Sequence, residues 1–181
     1  MKVKFILMLI GLTSLFFAGD IELSLQDVVA IQDSSGLTRI LFTFDTSQPI
    51  DTSMIDYAEL FIPRFLQAEP EYSLTLEARL LTRQWQPLTV SWYYPWETPG
   101  ADYDTTFCRQ FRVSSRIECD ICMDITELIK KIYGGACSNY GILLMTPEYE
   151  DGGFIILTSN LLDVLETARI ELAINPAAMN Q

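Results

Sequence analysis

The sequence predicts an all-β fold: a two-sheet antiparallel jelly-roll sandwich with one short crossing helix at about residues 126–133. Three observations carry this. Most of the chain beyond residue 37 alternates apolar and polar residues with period two, the pattern of half-buried antiparallel strands. Only one segment has a strong helical period. The chain has 181 residues, enough for one domain with a sizeable core and too few for two comfortable ones.

Taken in order, "TRILFTFD" (38–45) puts Ile40, Phe42 and Phe44 on one face. "YAELFIP" (57–63) does the same with Ala58, Leu60 and Ile62, and "SLTLEARLL" (73–81) with Leu74, Leu76, Ala78 and Leu80. "FCRQFRV" (107–113) offers Phe107, Phe111 and Val113. "RIECDICMDI" (116–125) alternates Ile117, Cys119, Ile121, Met123 and Ile125 against Glu118, Asp120, Cys122 and Asp124. "YGILLM" (140–145) and "GFIIL" (153–157) are nearly continuous apolar runs, as in strands buried on both faces. "ARIELAI" (168–174) alternates again. The total is about eight to ten strands. The stretch before residue 38 is short, so the first strand is expected to be abbreviated or paired differently. The helix is "ITELIKKIYGG", with Ile125, Leu128, Ile129 and Ile132 at i, i+3, i+4 and i+7. Thr126 fits its N-cap, Lys130 and Lys131 suit its C-terminal dipole, and Gly134 fits a left-handed stop. A second helical turn is expected at "LLDVLET" (161–167).

The start reads as a secretory signal over residues 1–19. Lys2 and Lys4 precede an apolar stretch, Phe5 to Phe17, of thirteen residues, which as a helix covers about 20 Å, short of the roughly 30 Å hydrocarbon core. An uncleaved anchor is the alternative, favoured by the bulky Phe17 near the cleavage point. No later stretch is long and apolar enough to span a bilayer. One domain is expected from 20 to 175, then a frayed tail, 176–181. The implied address is extracellular, cell surface or periplasm.

The formal charge is −12, which disfavours a nucleic-acid partner and repels anionic polymers. There is no histidine. That removes Ser-His-Asp and Cys-His catalysis and His-ligated zinc, and leaves carboxylates, tyrosines, lysines and arginines for chemistry. Cys108, Cys119, Cys122 and Cys137 are even in number and lie in one 30-residue window, so two disulfides are the default in an exported chain. The expected pairing is Cys108–Cys119 with Cys122–Cys137; a metal site and free thiols are the alternatives.

"WYYPWETPGADYD" (92–104) holds five aromatics in thirteen residues, broken by Pro95 and Pro99. Stacking on a sugar needs flat aromatic faces with carboxylates nearby for its hydroxyls. The candidate ligand-binding residues are therefore Tyr93, Tyr94, Trp96, Glu97, Asp102, Tyr103 and Asp104. For Trp96, a core plug and a stacking face both stay open. Trp85 and Trp92 read as core plugs. Calcium is the one cofactor the acidic loops suggest, with Asp102 and Asp104 in one and Glu148 and Asp151 in another. Nothing selects a catalytic pair from 24 acidic residues, so no catalytic residue is assigned.

Five segments in this order also resemble a known family. They are "RILFTFD", "IDYAELFI", "TRQWQPLTVSW", "PWETPGADYD" and "CMDITELIKKIYGGACSNYGILL". The matching positions include Trp85, Trp92, Trp96, Pro99, Gly100, Asp102, Asp104, Asp124, Thr126, Asn139 and Gly141. The chain from about 38 to 174 is similar to the DNRLRE-type domain. The resemblance implies a secreted jelly-roll module related to carbohydrate-binding modules, with a fold akin to the growth-factor propeptide sandwich. The four cysteines lie outside the family's pattern. The function expected is an exported, non-catalytic module binding a polysaccharide. The alternative is a structural or adhesive surface subunit with a protein partner, and the third reading is a polysaccharide-degrading enzyme.

Overall fold

The computed structural model describes residues 20–63, 73–114, 120–147 and 167–175. The expected signal, the strand at 153–157, the turn at 161–166, Cys119, Glu148, Asp151 and the tail from 176 lie outside the described residues. What is described is all-β with one α-helix. The elements are β1 (Asp20–Gln32), β2 (Thr38–Phe44), a 3-10 turn (Thr52–Met54), β3 (Ile55–Ile62), β4 (Ser73–Leu80), β5 (Arg109–Ser114), β6 (Ile121–Asp124), α1 (Thr126–Tyr133), β7 (Ile142–Met145) and β8 (Arg169–Ile174).

All eight strands pair antiparallel into one sheet, in the order β5-β4-β7-β2-β1-β8-β3-β6. The division expected as two sheets takes the form of two halves of this sheet joined through β1. Residues 20–24 of β1 pair with β8, and residues 25–32 pair with β2. At the join, Leu25 faces Phe44 but Val28 faces Phe42, so β1 carries one extra residue there. Such a bulge bends a strand and flips its side-chain parity. Ile21, Leu23 and Leu25 point to the main core before the bulge, and Val28 does so after it, while Val29 and Ile31 turn to the other face.

Every strand lends one face to a single core, with Leu23, Phe42, Leu60, Ala78, Met123, Leu144 and Leu172 among its buried members and Phe111 of β5 packed against it. The sheet therefore curls around this core until its edges approach. Nη2 of Arg109 on β5 lies 4.0 Å from Oδ2 of Asp124 on β6. Helix α1 adds Leu128, Ile129 and Ile132, the stripe its spacing predicts.

The start of α1 differs from the expectation in detail. Ile125, not Thr126, is the N-cap residue and has no side-chain cap. The Asp124 carboxylate accepts from the amide and hydroxyl of Thr126, at 2.9 and 2.7 Å. The buried Thr126 hydroxyl in turn accepts from the Ala58 amide at 2.9 Å, tying the helix to β3. Gly134 is in the right-handed region and Gly135, at φ +69°, makes the left-handed stop. No helix among the described residues is long and apolar enough to cross a membrane.

The cysteine expectation is corrected. Cys108, Cys122 and Cys137 are free thiols. Cys122 is exposed on the outer face of β6, whereas Cys137 packs against the inner core. The sheet stands between them, so the Cys122–Cys137 bond is not made.

Candidate functional site

A second apolar cluster lies on the outer face of β2 and β7. Ile31, Leu41, Leu143 and Met145 supply the sheet side, and Leu81, Trp85, Trp92, Trp96 and Ala101 cover it. The cover is the segment from 81 to 106. It leaves the end of β4, crosses the sheet, and returns as a short bridge in which Tyr103 pairs with Leu81. All three tryptophans are 8% exposed. Two of them have their indole N–H satisfied by backbone: Trp85 donates to Tyr140 O and Trp96 to Ser91 O, both at 2.8 Å. Trp96 is thus a core plug, and its buried ring offers no face to a ligand.

Polar contacts set the shape of this cover. Arg39, buried on β2, donates from Nη1 to Gly100 O at 2.8 Å, and its guanidinium lies 5.0 Å from the Trp92 ring centroid. Arg79 lies 5.2 Å from the Tyr103 ring. Gly100 and Ala101 follow each other at φ +92° and +108°. A Cβ on Gly100 would sit 2.6 Å from Arg39 Nη1 and 2.9 Å from Trp92, so only glycine fits. Asp102 clasps the turn: its carboxylate accepts the Glu97 and Thr98 amides at 2.9 Å each and pairs with Arg83 Nε at 2.8 Å. Arg83 also pairs with Glu97. Asp104 faces away, accepting from the Thr106 amide and hydroxyl and pairing with Lys131 of α1 at 3.1 Å.

With the tryptophans facing inward, two rings are left outside. Tyr93 and Tyr94 are 66% and 60% exposed, just before Pro95, to which Tyr94 is joined by a cis bond. On the same cover, Thr82, Arg83, Glu97, Thr98, Asp102 and Tyr103 line an open cleft of about 400 Å³, within the usual size range of small-molecule sites. So the structure places Glu97, Asp102 and Tyr103 at one cleft, Tyr93 and Tyr94 on the surface of the same loop, Trp96 beneath it, and Asp104 on the helix side. Arg39, Arg83 and the threonines carry no sequence signal for this role: Arg39 sits in an ordinary strand, and its partner Gly100 is 61 residues away. Among the described residues no three Asp, Glu or Cys side chains gather to hold a metal ion.

The carboxylates of the site have a pH signature. Burial pushes Asp102 up, but the amides of Glu97 and Thr98 and the Arg83 guanidinium outweigh it and hold its carboxyl below the ordinary value. The Thr106 hydroxyl and amide, helped by Lys131, hold Asp104 below it as well. A carboxyl whose folded pKa is depressed adds stability above its unfolded value of about 3.9, and that stability is lost as pH falls through the folded value. The melting temperature is therefore expected to fall with pH below about 4, and Asp102→Asn to make that fall shallower. Melting curves from pH 7 to pH 2 check this; an unchanged slope in Asp102→Asn overturns the assignment.

No family model matches the chain, and neither a curated protein nor a solved structure matches it.

Proposed function

We propose that the chain is an exported, non-catalytic β-sandwich module that binds polysaccharide at the cell surface or in a secreted complex. The binding face is the outer surface of the 81–106 cover, in keeping with the DNRLRE-type resemblance. One observation carries the reading. Five aromatic residues of one loop are sorted so that its two tryptophans are buried while Tyr93 and Tyr94 stand in solvent. A tyrosine presents a flat apolar ring with a polar tip, and the buried rings beneath fix the loop before a ligand arrives, which lowers the ordering cost of binding. Glu97, Arg83 and the threonines of the cleft supply donors and acceptors for hydroxyls.

Tyr93→Ala/Tyr94→Ala is expected to leave the unfolding free energy within about 0.5 kcal/mol, because neither ring is packed. The same variant should abolish retention on the polymer the unaltered chain prefers in a polysaccharide pull-down. Retention at full strength would discard the aromatic platform. A second reading, a structural or adhesive subunit with a protein partner, is favoured by Leu88, which is 98% exposed on the same cover. No retention on any polymer, together with a stable protein partner lost on Leu88→Ser, would favour it.

A further inference from the structure

We infer a second subsite, in a separate cleft, that takes an uncharged polyhydroxylated ligand such as the next sugar units of the same chain. This rests on the polysaccharide reading above. The cleft measures about 430 Å³ and lies where the β1–β2 pairing meets the segments 84–85 and 139–140. It adjoins the first along the chain: Thr82 and Arg83 line one cleft and Gln84 and Trp85 the other. Consecutive Cα atoms are about 3.8 Å apart, so the linings of the two clefts come within one residue of each other.

The lining chemistry selects the ligand. Gln26 and Gln84 are exposed, and their side-chain amides make no hydrogen bond among the described residues. Each offers two donors and an acceptor, the set that pairs with neighbouring hydroxyls. The Asn139 amide is held by its Nδ2, which donates to Phe44 O at 3.1 Å and to Thr46 Oγ1 at 3.3 Å. Its Oδ1 is buried and has no partner among the described residues. Asp27 and Asp45 are the charged residues of the lining, and no lysine or arginine joins them. An anionic ligand is therefore repelled, and a neutral hydroxyl-rich one finds acceptors on both sides. Trp85 also lines the cleft, but its ring is 8% exposed and its N–H is taken by Tyr140 O, so its indole signal reports occupancy of the cleft without a stacking contact.

The test is an NMR titration of the chain with neutral gluco-, xylo- and manno-oligosaccharides of two and six units, with oligogalacturonate as the anionic control. The expected result has the Gln26 and Gln84 side-chain amide signals and the Trp85 indole signal moving with a hexamer. Gln26→Ala/Gln84→Ala should weaken hexamer binding by about tenfold, two side-chain hydrogen bonds' worth. Both residues are exposed and unbonded, so this variant keeps the fold; Asn139 is left intact because it holds β2. If a hexamer binds and is lost in Tyr93→Ala/Tyr94→Ala, but the glutamine variant binds it unchanged, the second subsite is overturned and the polysaccharide reading stands. If no oligosaccharide binds, both fall. If oligogalacturonate moves the glutamine signals as strongly as a neutral hexamer, the uncharged-ligand assignment is overturned.

Discussion

Trp96→Ala is expected to lower the unfolding free energy by about 3–5 kcal/mol, the range for truncating a buried tryptophan. The ring lies in the second cluster beside Trp85, Trp92, Leu143 and Met145, and its removal leaves a cavity that the proline-flanked backbone cannot easily collapse into. It also leaves Ser91 O without its donor. Trp96→Phe separates the two terms: it keeps much of the packing and loses the hydrogen bond, typically about 1 kcal/mol. Urea titrations of both variants make the measurement, and a loss below about 1 kcal/mol in Trp96→Ala would show the ring to be poorly packed. The result bears on function as well. A binding defect in Trp96→Ala would reflect a disordered cover, so the exposed Tyr93 and Tyr94 are the residues that test the platform.

The second large effect is expected at Gly141. It holds φ +98°, and a Cβ there would lie 2.3 Å from the Phe42 carbonyl oxygen. Left-handed backbone in a residue with a side chain costs about 1–2 kcal/mol. Here the obstacle is backbone, which moves only if β2 and β7 separate where Phe42 pairs with Ile142. The Leu81 amide also donates to the Gly141 carbonyl at 3.0 Å, so the shift would reach β4. Gly141→Ala is expected to cost upwards of about 3 kcal/mol, the strain plus the displacement. Gly36→Ala is the control. Gly36 holds φ +94°, but the nearest atom to its added Cβ is the end of the Gln32 side chain at 4.0 Å, so only the strain is felt. Equal losses at the two sites, measured by denaturant unfolding, would overturn the steric account.

Strands β2 to β8 and helix α1 are legible in the sequence because each places its apolar residues at the period of its own geometry. In β7, Ile142 to Met145 are buried on both faces, as a continuous apolar run implies. Strand β1 is the exception, and the bulge between Leu25 and Val28 explains it. A change of parity midway turns one long alternating strand into two short fragments of opposite phase. The cover was half legible. Its residue types announced a special loop, but whether a ring faces in or out depends on contacts with Leu41 and Leu143, far away in sequence. The same holds for Asp102, whose partners sit four or five residues back and at Arg83; an acidic run looks alike whether it clasps a turn or waits for a cation. The cysteines misled because parity within one strand says nothing about which side of the sheet a distant residue occupies.

The double membership of β1 has a consequence in time. Its first residues, 20–24, pair with β8, whose residues lie almost 150 positions later. The half containing β3, β6 and β8 therefore closes onto β1 only after β8 has been made. Pairing at such sequence separation is slow, and until it happens the inner face of β1 stays open to solvent. Once formed, the strand common to both halves couples them, so they are expected to unfold together. The fold is thus expected to assemble slowly and to unfold as one unit.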